Sequence, residues 1–153
     1  MIEPGQKLPK FKLAASGDAT LGNADFAGRK LVLYFYPKDS TPGCTLEAQD
    51  FRDRTKQFGK AGVAVVGVSR DSVKSHDNFC SKQSLDFPLL SDPDETLCNA
   101  FAVIKDKNLY GRKVRGIERS TFLFDERGVL RREWRGVKVK GHADEVLEAA
   151  RAL

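Results

Sequence analysis

A chain of 153 residues with 41% hydrophobic and 31% charged side chains suits one globular domain with a real core, within the roughly 100–200 residues usual for a domain. Its longest apolar runs, Leu31–Tyr36 and Val63–Val66, fall far short of the ~20 residues of a membrane helix. Met1-Ile2-Glu3-Pro4-Gly5 offers neither the basic nor the apolar part of a secretory leader. The net charge of +5 is concentrated after Lys105, in Lys107, Arg112, Lys113, Arg115, Arg119, Arg127, Arg131, Arg132 and Arg135. Acidic residues (Asp106, Glu118, Asp125, Glu126, Glu133) interrupt that stripe, so it reads as a solvated face without a nucleic-acid-binding motif.

Three cysteines cannot all pair within one chain, and a core of this size needs no staples. Both points favour a reducing compartment, and the cytoplasm is expected. A zinc site drawn from Cys44, Cys80, Cys98, His76 and His142 is disfavoured, because no paired ligand spacing joins them. No metal or other cofactor is expected.

In chain order, turn formers at Pro4-Gly5, Ser16-Gly17-Asp18 and Ala27-Gly28 predict an N-terminal hairpin and return loop. Lys30 to Tyr36, β-branched and aromatic, predicts a buried strand ended by Pro37. Thr41 is placed to cap the next helix, with Pro42 at its favoured first position. Positions 44, 48, 51, 55 and 58 then share one helical face, which points Cys44 toward the protein body and leaves Glu47, Asp50, Asp53 and Arg54 to water. Backbone N–H groups at a helix start favour negative charge, and a thiolate is the reactive form of cysteine. A buried, inert thiol fits the same local sequence, since free cysteine is commonly just buried.

Val63 to Ser69 predicts a second buried strand, and Asp71 or Ser72 caps a helix to about Ser84 carrying Val73, His76, Phe79 and Cys80. Leu85 to Leu90 is extended around Pro88, and Pro93 introduces a short helix with Leu97, Cys98 and Phe101. Thr121–Asp125 and Val129–Trp134 predict a hairpin across Glu126-Arg127-Gly128, and His142–Leu153 a closing helix with Val146, Leu147 and Ala150 inward. The fold class is α/β, a mixed sheet with helices on both faces, in a single domain over 1–153.

The run Pro37-x-x-x-Thr41-x-x-Cys44, extended as Pro42-Gly43-Cys44-Thr45-Leu46-Glu47-Ala48, resembles the active-site signature of the peroxiredoxins. Within them it is similar to the peroxiredoxin Q, or bacterioferritin comigratory protein, group. Gly5 to Pro9, Leu89-Leu90-Ser91-Asp92 and Arg119-Ser120-Thr121-Phe122 extend the likeness along the chain. The resemblance implies a thioredoxin-like fold and reduction of hydrogen peroxide and organic hydroperoxides at Cys44. In that scheme Arg119 and the Cys44 backbone N–H steady the charge building on the peroxide. Thr41 accepts the peroxide proton while donating to the sulfur, Pro37 shields the pocket, and Cys44 becomes a sulfenic acid. Glu47 reads as a solvated helical carboxylate.

Many members carry a second cysteine five residues after the first, where this chain has Gln49. Cys80 and Cys98 are left as resolving thiols. The resemblance favours Cys80, because a second subgroup has its resolving cysteine on that helix. Since a disulfide needs Cα atoms within about 7 Å, both helices are expected to unwind locally after oxidation. Thioredoxin is the reductant implied, and the protein is expected to be a monomer. A single-cysteine peroxidase is the alternative if Cys80 is inert; a thioredoxin-type oxidoreductase fails because Cys44 begins no C-x-x-C.

Overall fold

The computed structural model describes residues 1–153, apart from the side chain of Leu109. The chain runs β1 (Lys12–Ala15), β2 (Ala19–Gly22), a 3-10 turn (Asn23–Phe26), β3 (Lys30–Phe35), α1 (Pro42–Arg52), α2 (Thr55–Lys60) and β4 (Val63–Ser69). It continues with α3 (Val73–Gln83), β5 (Leu89–Ser91), α4 (Thr96–Ala100), β6 (Ile104–Leu109), β7 (Arg112–Ile117), β8 (Ser120–Phe124), β9 (Leu130–Arg135) and α5 (His142–Arg151).

Seven strands form one mixed sheet in the order β2-β1-β5-β4-β3-β8-β9. The apolar runs read from the sequence occupy its centre: β4 lies parallel to β3, with Val32 opposite Val65, and β5 lies parallel to β4. β8 adds to the other side of β3 antiparallel, with Phe35 opposite Ser120, and β1 adds antiparallel to β5. Strand alternation splits β3 between two cores. Leu31, Leu33 and Phe35 face a layer with Leu97, Phe101 and Phe122. Val32, Tyr34 and Tyr36 face a layer with Cys44, Phe51, Phe58, Phe79 and Val146. Thus α1, α2, α3 and α5 cover one face, and α4 covers the other.

Two local expectations change. The helix predicted through residue 58 is broken after Arg52, and α2 restarts at Thr55. Arg54 N–H turns back to the Phe51 carbonyl, and the Thr55 hydroxyl, placed to donate to the Arg52 carbonyl or to Asp86, takes up a bond that continued helix would not need. The inward register survives the break, since Cys44, Ala48, Phe51 and Phe58 are all buried. The second change is the β6–β7 hairpin, which the sequence reading left as a basic stripe. Its turn, Tyr110-Gly111, has positive φ at both residues, 52° and 77°, the conformation that two-residue hairpins use. Among the described residues, no helix is long and apolar enough to cross a membrane.

The layer under α1, α2, α3 and α5 has no slack at Gly67. A Cβ there would lie 2.7 Å from Leu89 Cδ2 and 3.0 Å from Tyr34 Cζ. Leu89 is fully buried and the Tyr34 ring stacks on Phe51 with centroids 4.7 Å apart, so neither can step aside. Gly67→Ala should lower unfolding stability by about 1–3 kcal/mol; an unchanged urea midpoint would show that this layer can relax.

Candidate active site

Cys44 is the third residue of α1, entered through the loop that follows β3. Tyr36 N–H bonds the Val68 carbonyl at 3.0 Å, and half-buried Pro37 then ends the strand pairing. Ser40 adopts a left-handed φ of 61°, a conformation that costs a non-glycine residue about 1 kcal/mol or more and that turns the chain into the helix. Thr41 occupies the cap position, but by its backbone: Thr45 N–H bonds the Thr41 carbonyl at 2.9 Å, and its side chain makes no cap bond. The Thr41 hydroxyl donates instead to the Lys38 carbonyl at 2.7 Å. Donation from Thr41 to the Cys44 sulfur, which the resemblance implied, is therefore not made here; the hydroxyl's lone pairs stay free to accept.

Arg119 stands between β7 and β8, seventy-five positions from Cys44 in sequence. Its Nη2 lies 3.4 Å from Cys44 Sγ, and its Nη1 donates to Glu47 Oε1 at 2.6 Å. The expectation that Glu47 faces water is wrong: the residue is 1% exposed. Helical periodicity scored a carboxylate as an outward residue, whereas a partner from a distant strand draws it in. Gly43 makes that approach possible, because a Cβ there would sit 3.2 Å from Arg119 Nη2. Lys107 of β6 donates to the Ile117 carbonyl, two residues before Arg119. Burial, and then Arg119, pull the Lys107 pKa below its usual value.

Charge at the site follows burial. Desolvation pushes Glu47 up from 4.5 to about 7, and the Arg119 guanidinium only partly offsets it. Burial works against the charge of Arg119 too, but Glu47 and Cys44 outweigh it and raise its pKa further. Beneath the thiol, Tyr34 is 1% exposed and its hydroxyl has no hydrogen-bond partner among the described residues. Burial, followed by the charges of Glu47, Cys44 and Cys80, keeps that phenol protonated.

The other cysteines sit in different surroundings, and all three are free thiols. Cys80 is half-buried on α3, packed at the edge of the same core layer as Cys44. Burial raises its pKa, with Ser16 opposing. Cys98 lies in the other core and is fully buried; burial and then Asp92 push its thiol far up. Gln49 meets α3 directly, its Nε2 donating to Gln83 Oε1 at 2.8 Å. Sequence reasoning missed Glu47 and Gly43; the Pro-Gly-Cys run was the available signal for the second.

A strand, a tight loop and a cysteine at a helix start, faced by an arginine from a distant inter-strand link, define a class of thiol enzyme. The AhpC/TSA family model matches residues 4–133, and the chain belongs to that family. Peroxiredoxin Bcp of Xanthomonas campestris is 59% identical over 92% of this chain and 88% of its own length. A structure of the X. campestris bacterioferritin comigratory protein, solved to address its alkyl peroxide reduction activity, is similar with 57% identity and a TM-score of 0.88, covering 93% of this chain and 90% of that one. The Xylella fastidiosa peroxiredoxin Q mutant structure shares 47% identity and a TM-score of 0.94 over 99% and 97% of the two chains. Two more X. campestris peroxiredoxin Q structures, each 58% identical with a TM-score of 0.88, carry single cysteine-to-serine changes thirty-six positions apart. The fold is thus thioredoxin-like, the group is peroxiredoxin Q, and the activity is that of a thiol peroxidase.

Two buried groups give stability opposite pH dependences. Glu47 binds its proton more tightly when folded, so stability falls as pH rises from about 4.5 toward about 7. His142, 4% exposed with Nε2 2.8 Å from the Thr121 hydroxyl, is lowered by burial from 6.5 to about 4. It binds its proton more weakly when folded, so its contribution is present above 6.5 and lost as pH falls toward about 4. Each effect is worth about 3 kcal/mol, and between pH 4.5 and 6.5 they oppose. Denaturant stabilities should be nearly flat there for the native chain, rise with pH in Glu47→Gln and fall in His142→Asn. Equal slopes in all three would contradict the assignment.

Proposed function

We propose that the chain reduces hydrogen peroxide and organic hydroperoxides with Cys44 as the attacking thiolate. The observation that carries this reading is the Arg119 guanidinium 3.4 Å from Sγ at the first turn of α1, where helix end and cation both favour negative charge. The sulfur attacks the nearer peroxide oxygen and the O–O bond breaks. The leaving oxygen takes a proton as water or an alcohol, and Cys44 becomes a sulfenic acid. Arg119, released from no other anion than Glu47, steadies charge on both oxygens; the Thr41 hydroxyl accepts a hydrogen bond from the peroxide, and Pro37 limits access of water.

Cys80 then resolves the intermediate. Its sulfur attacks Cys44 sulfur, the S–O bond breaks, and hydroxide leaves as water with the Cys80 proton. The spacing of Cys44 and Cys80 equals that of the two serine variants of the X. campestris protein, which supports this pair over Cys44–Cys98, as does the burial of Cys98 in the opposite core. Parts of α1 and α3 unwind to bring the sulfurs together. Thioredoxin reduces the exposed disulfide, in a cytoplasm reducing enough to keep three cysteines as thiols, and the 153 residues act as a single domain and a monomer.

One equivalent of hydrogen peroxide followed by non-reducing peptide mapping should yield a Cys44–Cys80 crosslink. A Cys44–Cys98 link, or sulfinic Cys44 alone, would overturn the pairing. Cys80→Ser should still consume one peroxide per chain but lose thioredoxin-coupled turnover; undiminished turnover would favour a single-cysteine cycle. Arg119→Gln should slow the peroxide step by about 10²–10³-fold.

A further inference from the structure

The loop that leads to Cys44 and the helix that carries Cys80 are joined by a buried, hydrogen-bonded pair of side chains outside the reacting groups. Asp39 lies between Pro37 and Cys44, and His76 lies one turn before Cys80 on α3. His76 Nδ1 is 2.7 Å from Asp39 Oδ2 and its Nε2 is 2.8 Å from the Leu90 carbonyl. A carbonyl oxygen only accepts, so His76 Nε2 carries a proton, and Nδ1 and Asp39 Oδ2 share another between them. Asp39 also accepts from the Tyr36 hydroxyl at 2.6 Å and the Ser75 hydroxyl at 2.8 Å. The two side chains are 0% and 1% exposed.

Asp39, Asp71 and His76 place ligand atoms within 4.8 Å of one another, a spacing that also suits a metal. Both ring nitrogens of His76 are already hydrogen-bonded, to Asp39 and the Leu90 carbonyl, and the Asp71 carboxylate accepts from the Asp39 N–H and the Ser69 hydroxyl. The cluster is a tie between segments.

A second tie, at the far end of α3, is of another kind. Gln83 meets Gln49 at 2.8 Å, and its carbonyl accepts from Arg52 Nη1 at 2.8 Å, in part-buried surroundings where water can replace either bond. Breaking a buried, fully hydrogen-bonded pair leaves its polar atoms unsatisfied and is more costly than breaking such contacts. An opening that frees Cys80 therefore starts at Gln83 and meets resistance four residues beyond the thiol.

We propose that the Asp39–His76 pair is the anchor at which unwinding of α3 stops, making the two residues positioning residues for disulfide formation. The first turn of the helix stays docked on the loop, and Cys80 swings on a tether of four residues from a fixed point on the loop that leads to Cys44. This rests on the reading of Cys80 as the resolving thiol.

Residue-resolved amide exchange on the whole chain, reduced and disulfide-bonded, tests it. The probes are His76 N–H, bonded to the Ser72 carbonyl at 3.0 Å, and Leu85 N–H, bonded to the Cys80 carbonyl at 3.0 Å. In the disulfide form Leu85 and its neighbours should exchange at least about a hundredfold faster than in the reduced form, and His76 less than about threefold faster. Equal acceleration at both probes would overturn the anchor while leaving the crosslink intact. Absence of a Cys44–Cys80 crosslink in the same sample would overturn the resolving assignment and the anchor with it. In His76→Asn, the fast segment should reach Ser75 in the disulfide form but not in the reduced form; loss of protection in both forms alike would mean a structural role only. Should that variant fail to fold, Ser75→Ala, which removes one donor to Asp39, should accelerate His76 exchange in the disulfide form selectively, and no selectivity would overturn the proposal.

Discussion

Arg119 is largely withdrawn from water, with 16% of its side chain exposed, and its two forks point at different acids. A guanidinium in that position is tolerated only if its charge is answered. The Glu47 carboxyl meets it on one side, and the sulfur of Cys44 on the other. Because Glu47 follows Cys44 by three residues on one helix, both partners ride on the same rigid element, and the cation comes from the link between β7 and β8. The pairing thus fixes α1 against the start of β8 and fixes the helix start against the cation in one arrangement. Gly43 keeps the gap between them open, and the register of β8 on β3 decides where the arginine stands.

The same economy shows in β3. Its alternate residues belong to different cores, so Tyr34 and Tyr36 serve the helix layer that holds the thiol while Leu33 and Phe35 hold the opposite layer. Tyr34 forms the floor beneath Cys44, and Tyr36 reaches the Asp39–His76 pair. Packing and site chemistry therefore share one strand, which is why Gly67, on the neighbouring strand, is limited to a residue without a side chain.

Much of this was legible in the chain. The apolar runs at 30–36 and 63–69 could only be buried strands, and the helical register of Cys44, Ala48 and Phe51 set the thiol inward without help from any relative. What failed has a common physical cause. Glu47 was read by the local rule that carboxylates face water, but its partner lies seventy-two positions away and no local pattern encodes it. The β6–β7 hairpin carries charge on both faces, so it has no alternation to detect, and Tyr110 in its turn adopts a conformation that its residue type does not announce. The break at Asp53-Arg54 depends on a threonine hydroxyl and a carbonyl, contacts that periodicity does not weigh. The pairing of Asp39 with His76 likewise joins a loop to a helix whose separate sequences give no sign of each other.

Cys98 lies in the core opposite Cys44, with its backbone N–H held by the Asp92 carboxylate at 2.7 Å and its sulfur away from solvent. An entire sheet separates it from the layer that holds Cys44 and Cys80. A thiol-specific label that reaches it reports loss of that core, whereas labels at the other two cysteines report events at the helix layer. The chain therefore contains its own internal standard: two sulfurs that register changes in the helix layer and one that registers only collapse of the whole.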